Sequence, residues 1–107
     1  MDIKKVYISG KITGLLEPEA KQIFANAYNM LEGFGYQPVN PFDVAPFTHG
    51  WAYENYLVKG IEGLLQCQAI YMLHNWGNSK GARIEYAIAR ELGLKIWFEE
   101  DLEIISE

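Results

Sequence analysis

The hydrophobic pattern of the chain switches repeatedly between short apolar runs and stretches with helical spacing. The apolar runs are rich in β-branched and aromatic residues, which is typical of buried strands, and they cover residues 6–9, 36–39, 69–73 and 94–98. Between them, apolar residues recur every three or four positions and predict helices over residues 18–34, 53–66 and 79–92. Asn40-Pro41 and Pro46 predict a long irregular loop over residues 40–51.

The ends of the helices also carry signals. The first predicted helix has one apolar face, made of Ala20, Phe24, Ala27, Leu31 and Phe34. Ser79 is a suitable N-cap for the third helix, and Gly93 is a suitable C-terminal stop. Residues 102–105 either add a short C-terminal edge strand or pack against the sheet.

The alternation of strands and helices predicts an α/β fold. Strand–helix–strand units of about 30 residues imply parallel strands joined by right-handed crossovers. Strands that are apolar on both sides are expected where helices cover both faces. The sequence therefore predicts an open three-layer parallel sheet in the flavodoxin-like or Rossmann-like order 2-1-3-4. Ligands bind such sheets beyond the carboxyl ends of the strands, between strands 1 and 3, which selects the loops 10–17, 40–51 and 74–81.

Composition narrows the class of protein further. A chain of 107 residues predicts one domain over residues 1–107, and 50% hydrophobic residues exclude disorder. A net charge of −5 argues against a nucleic acid polymer as partner, although backbone amides can still hold one small phosphate. The lone Cys67 and the distant His49 and His74 give no metal spacing, so we expect no metal and no cofactor. Without a signal-peptide pattern or an apolar run of about 20 residues, we expect a cytoplasmic protein without a membrane partner.

Two segments could carry chemistry. After the first strand, glycines flank a short polar segment and favour an anion-binding turn: Ser9, Gly10, Lys11, Ile12, Thr13, Gly14. A tight turn that binds nothing is the alternative. In the third helix, Glu85 has only small or apolar neighbours three and four residues away, so its carboxylate projects beside free space. The alternative for Glu85 is a carboxylate that is merely stabilised by the helix dipole.

Aromatic residues gather around the predicted site. They either stack on a base or serve in packing and subunit contacts, and they are Tyr7, Phe42, Phe47, Trp51, Tyr53 and Trp76. A small domain with such a loop is expected to complete its site across a homodimer or a higher homo-oligomer.

Several motifs together resemble a known family. Four segments are similar to parts of the nucleoside 2-deoxyribosyltransferases and the 2′-deoxynucleoside 5′-phosphate N-hydrolases. They are residues 7–14, Asn40-Pro41, residues 67–73, and Trp76 followed by residues 79–85. The resemblance extends from the first strand to the fourth. It implies a small nucleoside or nucleotide as the partner.

The resemblance also implies roles for individual residues. In those enzymes a glutamate at the position of Glu85 attacks the anomeric carbon of deoxyribose, and a tyrosine at the position of Tyr7 orients it. The turn from Ser9 to Gly14 and Ser79 would contact the sugar or a 5′-phosphate. Asn40, Trp76 and Gly81 complete the expected substrate-binding set.

The chain departs from the enzymes at one place. They carry two aspartates, eight residues apart, ahead of the third strand, where this chain has Gly60 and Gln68. The first aspartate is the expected acid for the departing base. The sequence therefore leaves two functions open: N-glycosidic bond cleavage or deoxyribosyl transfer through a carboxylate nucleophile, and a non-catalytic nucleotide-binding module of the same fold.

Overall fold

The computed structural model describes residues 2–101, and these form a single four-stranded sheet with helices on both faces. The strands are β1 (Lys5–Ser9), β2 (Gln37–Val39), β3 (Ala69–Met72) and β4 (Lys95–Phe98). All pairings are parallel and the order is β2-β1-β3-β4, so the predicted fold class is confirmed. The predicted edge strand over residues 102–105 lies outside the described residues.

The helices are α1 (Glu17–Gly33), α2 (Pro41–Val44), α3 (Tyr53–Leu64) and α4 (Lys80–Glu91). A short 3-10 helix, Trp76–Asn78, precedes α4. Val6 and Ile8 of β1 pack with the buried face of α1, whereas Tyr7 between them packs with α3 and α4. Successive side chains of a strand point to opposite faces, so α1 covers one face of the sheet and α3 and α4 cover the other.

Two details differ from the expectations. The segment 40–51 is not wholly irregular, because Asn40 Oδ1 accepts a hydrogen bond from the Phe42 amide and Pro41 occupies the first turn of α2. Phe34 was predicted on the apolar face of the first helix, yet it follows the last turn of α1 and is 57% exposed. The reason is that α1 ends at Gly33, so Phe34 lies beyond the part of the helix that packs on the core.

The boundaries of α4 agree with the sequence signals. Ser79 Oγ accepts a hydrogen bond of 3.1 Å from the Ala82 amide, and Gly93 follows the helix with a φ of 74°. The cap fixes where α4 begins, and thereby places Glu85 in its second turn. Within residues 2–101, none of the helices combines the length and the apolar character needed to cross a bilayer.

Candidate active site

A cavity of about 990 Å³ opens beyond the carboxyl ends of the strands. Its walls come from the loop after β1, from the start of α1, from α2 and the segment that follows it, and from the N-terminal parts of α3 and α4. This is the edge of the sheet that the switch between β1 and β3 predicts. The volume is at the upper end of the range for small-molecule sites, so a nucleotide fits with room to spare.

Glu85 lies on the wall of this cavity and is 8% exposed. Its Oε1 accepts a hydrogen bond of 2.7 Å from Ser9 Oγ, and its Oε2 accepts one of 2.8 Å from the Tyr7 hydroxyl. Tyr7 and Ser9 are two residues apart on β1, so both side chains point to the face on which α4 packs. One strand thus supplies one donor to each carboxylate oxygen.

The surroundings of the carboxylate alter its acidity. Burial raises the pKa of Glu85, and the hydrogen bonds from Ser9 and Tyr7 offset only part of that effect. Burial also raises the pKa of Tyr7 well above its usual range, and the negative charge of Glu85 adds to this. Tyr7 therefore stays protonated, and its hydroxyl donates a hydrogen bond to Glu85. The result is a positioned, poorly solvated carboxylate at the edge of a cavity, which is suited to act as a nucleophile or a base.

Gly60 of α3 packs directly against this pair. A Cβ at Gly60 would lie 2.8 Å from the Tyr7 hydroxyl and 2.9 Å from Glu85 Oε2. Real Cβ atoms essentially never approach other atoms so closely, so a larger residue requires the pair to shift. The position that holds an aspartate in the resembling enzymes therefore has no space for one in this arrangement.

Gln68, the second departure from the enzyme pattern, lies at the other end of the sheet. Its side-chain Oε1 accepts hydrogen bonds from the amides of Lys4 and Lys5, at 3.0 and 2.9 Å. These amides precede and begin β1, whereas the cavity lies beyond its carboxyl end. Gln68 thus holds the start of β1 and has no part in the cavity wall.

The structure brings most of the residues selected from the sequence to this one cavity. Tyr7, Ser79, Gly81, Glu85 and residues 10–13 all line it. Ser9 does not, because it is fully buried behind Glu85 and its hydroxyl is used on that carboxylate. Gly14 also lies off the wall, with a φ of 93° that suits glycine at a turn.

Asn40 and Trp76 were selected as substrate contacts, and neither lines the cavity. Asn40 caps α2 through its side chain. Trp76 packs against Tyr86 and Phe98, with ring centroids 4.8 and 5.9 Å away. In this structure the first residue shapes a helix end and the second fills a hydrophobic cluster.

Sequence reasoning missed Asn75, which shapes the loop after β1. Its Oδ1 accepts a hydrogen bond of 2.9 Å from the Lys11 amide. It also lies 3.0 Å from where a Cβ at Gly10 would be, so Gly10 allows the two loops to approach closely. Asn75 falls inside the predicted loop 74–81, but no feature of the sequence distinguished it from its neighbours.

Two lysines line the cavity, one of them at the start of α4. Lys11 follows β1, Lys80 begins α4, and both line the wall. The first turn of a helix leaves amide groups without intrahelical partners, and its dipole favours an anion. A phosphate group suits the part of the cavity at the start of α4. Among residues 2–101, no cluster of three or more His, Cys, Asp or Glu side chains could hold a metal ion.

Solved structures with this fold include three enzymes. A 2-deoxyribosyltransferase from Bacillus psychrosaccharolyticus matches with a TM-score of 0.67 and 16% identity, over 88% of this chain and 70% of that one. A 2-deoxyribosyltransferase from Leishmania mexicana matches with a TM-score of 0.65 and 22% identity, over 89% of this chain and 63% of that one. A CMP N-glycosidase of Clostridium botulinum matches with a TM-score of 0.62 and 18% identity, over 89% of this chain and 70% of that one.

By its fold, the protein is similar to the nucleoside 2-deoxyribosyltransferases, which confirms at that level the resemblance drawn from the motifs. The chain spans 63% to 70% of the length of these three structures. Residues 4–98 match a family described as a domain of unknown function, DUF4406, and the chain belongs to this family. No curated protein matches the sequence.

Proposed function

We propose that this protein acts on the N-glycosidic bond of a deoxynucleoside or its 5′-monophosphate, with Glu85 as the nucleophile. The bond is either hydrolysed or its deoxyribosyl group is transferred. The observation that carries the proposal is the placement of Glu85 on the cavity wall. Its carboxylate is buried, and Ser9 and Tyr7 each donate a hydrogen bond to one of its two oxygens. The names of the three structural neighbours, two deoxyribosyltransferases and a CMP N-glycosidase, support the same class of chemistry.

A carboxylate suits this reaction for a physical reason. Cleavage at the anomeric carbon develops positive charge in an oxocarbenium-like transition state. A nearby anion stabilises that charge and then forms a covalent glycosyl–enzyme ester, which splits one difficult step into two. The hydrogen bonds from Ser9 and Tyr7 fix the direction of the carboxylate, so little reorganisation is needed when the substrate arrives.

The distribution of charge favours a phosphorylated substrate. The chain carries a net charge of −5, yet Lys11, Lys80 and the first turn of α4 all line the cavity. A 5′-phosphate at the first turn of α4 would place the sugar toward Glu85. The aromatic side chains of Phe42 and Trp51, which also line the cavity, would then be available to stack on the base.

A second candidate is a nucleotide-binding module that performs no reaction. The observation in its favour is Gly60, which stands where the resembling enzymes carry their expected acid and where any side chain would displace Tyr7 and Glu85 from their present positions. General acid catalysis typically contributes about 10²–10⁴-fold, so its loss is a real reason for low activity. Binding through Lys11, Lys80 and the α4 terminus would persist without it.

Base release separates the two candidates. The protein is incubated with a panel of deoxynucleosides and their 5′-monophosphates, and free base is followed by chromatography. The enzyme predicts base release that disappears in Glu85→Gln and persists in Glu91→Gln, a matched change at an exposed carboxylate of the same helix. The binding module predicts thermal stabilisation by a nucleotide without any base release, because a ligand that binds only the folded state stabilises it.

A further inference from the structure

Breaking an N-glycosidic bond leaves electron density on the departing base, and a proton donor is needed to neutralise it. Gly60 provides no such donor, and a side chain there would require the hydrogen-bonded pair of Tyr7 and Glu85 to shift. If the proposed function holds, the proton must come from another side chain on the cavity wall. The candidates are the ionisable groups that line the cavity within residues 2–101.

Most of these groups are already engaged. The Tyr7 hydroxyl donates to Glu85, and the Tyr56 hydroxyl donates to the Thr48 carbonyl oxygen at 3.1 Å. Glu17 forms an ion pair of 2.9 Å with Lys21 at the exposed start of α1. The other lysines, Lys11 and Lys80, lie where a phosphate is expected.

Tyr53 is different. It begins α3, lines the cavity and is 40% exposed. Within residues 2–101 its hydroxyl makes no hydrogen bond to protein. The hydroxyl lies against α4, because a Cβ at Gly81 would be only 2.7 Å from it.

The position on α4 matters because Gly81 and Glu85 are four residues apart. Residues with this spacing are neighbours on one helix face, with Cβ atoms about 5–6 Å apart. Retaining glycosidases place their nucleophile and their acid about 5–5.5 Å apart, on either side of the bond that breaks. The Tyr53 hydroxyl therefore lies beside α4 one helical turn before Glu85, on the wall of the same cavity.

The two groups also interact electrostatically. Burial raises the pKa of Tyr53, and the negative charge of Glu85 raises it further. Glu54 has a smaller effect in the same direction, and Arg83 opposes it. When Glu85 becomes a neutral ester, its contribution disappears and Tyr53 becomes a stronger acid. The acid is therefore strengthened at the step in which it is required.

We infer that Tyr53 is the catalytic residue that donates the proton to the departing base, in place of the carboxyl group that Gly60 excludes. In the first step a Glu85 oxygen forms a bond to C1′ and the bond from C1′ to the base breaks. The bonding electron pair leaves with the base, which takes the phenolic proton of Tyr53. In the second step water attacks C1′, the ester bond to Glu85 breaks, and the Tyr53 phenolate takes the proton from water.

The test compares two leaving groups in wild type and Tyr53→Phe. One substrate is the natural deoxynucleoside 5′-monophosphate that the wild type cleaves fastest, and the other is 4-nitrophenyl 2-deoxyriboside 5-phosphate. 4-Nitrophenolate leaves without a proton, so its release does not need an acid. We expect Tyr53→Phe to lose about 10²–10⁴-fold in base release and to retain nitrophenolate release within about fivefold.

Tyr28→Phe serves as the matched control, since Tyr28 belongs to α1, which covers the opposite face of the sheet. Gly81→Ala provides a second variant. Its added Cβ moves the Tyr53 hydroxyl from its position, while the tyrosine itself is retained. It should show the same selective loss.

Equal losses on both substrates, or no loss on either, would overturn the role of Tyr53 and leave the proposed function standing. Absence of base release by the wild type, or full activity of Glu85→Gln, would overturn both.

Discussion

Gly60 and Glu85 are in direct contact across two helices: the space beside Glu85 Oε2 is so small that a Cβ at Gly60 would lie 2.9 Å from it. The glycine is buried in α3, and the carboxylate projects from α4 toward β1. The close approach of α3 to this pair encloses the Glu85 carboxylate and helps to raise its pKa. The same contact excludes a second carboxyl group from the site.

Gly60→Ala should therefore destabilise the protein, although alanine is the better helix former. Overpacking a tight contact typically costs about 1–3 kcal/mol, which exceeds the gain of about 1 kcal/mol from helix propensity. Gly33→Ala is the matched control, because apart from its chain neighbours and its own helix backbone no atom lies within 4 Å of the added Cβ, and α1 ends there. Chemical denaturation of both variants decides the matter. If Gly60→Ala and Gly33→Ala were stabilised equally, the close contact of Gly60 with Glu85 would be contradicted.

Ser9→Ala tests whether Ser9 positions Glu85 or binds substrate. Its loss leaves one buried carboxylate oxygen without its donor, which should cost about 1–3 kcal/mol in the free energy of unfolding. Because Ser9 is fully buried behind Glu85, we expect kcat to fall while KM stays within about twofold. Steady-state kinetics of base release provide the measurement. A rise in KM at constant kcat would instead place Ser9 among the substrate contacts.

The raised pKa of Glu85 makes stability depend on pH. An acid whose pKa is higher in the folded state than in the unfolded state binds more protons when folded between those two values. The contribution of Glu85 to stability is therefore most favourable below its unfolded pKa of about 4.3, and is lost as pH rises through its folded pKa. Glu85→Gln should remove this dependence and be more stable than wild type at neutral pH.

Thermal unfolding from acid to neutral pH measures this difference, with Glu91→Gln as the exposed control. If wild type and Glu85→Gln lose stability in parallel as pH rises, the raised pKa of Glu85 is wrong.

Lys80→Ala should weaken the binding of a 5′-monophosphate far more than that of the unphosphorylated nucleoside. A hydrogen bond to a charged group contributes about 1.5–3 kcal/mol, so the dissociation constant of the monophosphate should rise about 10- to 100-fold. Lys95→Ala is the control, since Lys95 is exposed at the start of β4, away from the cavity. Titration calorimetry checks both. An equal loss of affinity for the nucleoside and the nucleotide would show that the phosphate does not bind near Lys80.

The sheet could be predicted because the features that specify it lie within short stretches of the sequence. Four apolar runs separated by segments of crossover length leave few arrangements other than a parallel sheet, and the ligand edge follows from the strand order. The cap at Ser79 is equally local, and it fixes the turn of α4 from which Glu85 projects.

The contacts that define the site are not local. Ser9 and Glu85 are 76 residues apart, and only the packing of α4 on this face of β1 brings them together. Residue type also does not distinguish a substrate contact from a structural role. Asn40 caps α2 and Trp76 packs in an aromatic cluster, although both were selected for the site. Assembly as a homodimer or a higher homo-oligomer stays a prediction.

The central claim is that Glu85 forms a bond to the sugar, and mass spectrometry of the protein tests it most directly. A nucleoside 5′-monophosphate with a 2-deoxy-2-fluoro-arabinosyl group slows both steps, because fluorine destabilises the oxocarbenium-like transition state. We predict that the protein gains the mass of the fluorinated sugar phosphate, on the peptide that contains Glu85, and that Glu85→Gln gains none. Base release by the wild type with the label on another residue, or with no label, would contradict the account.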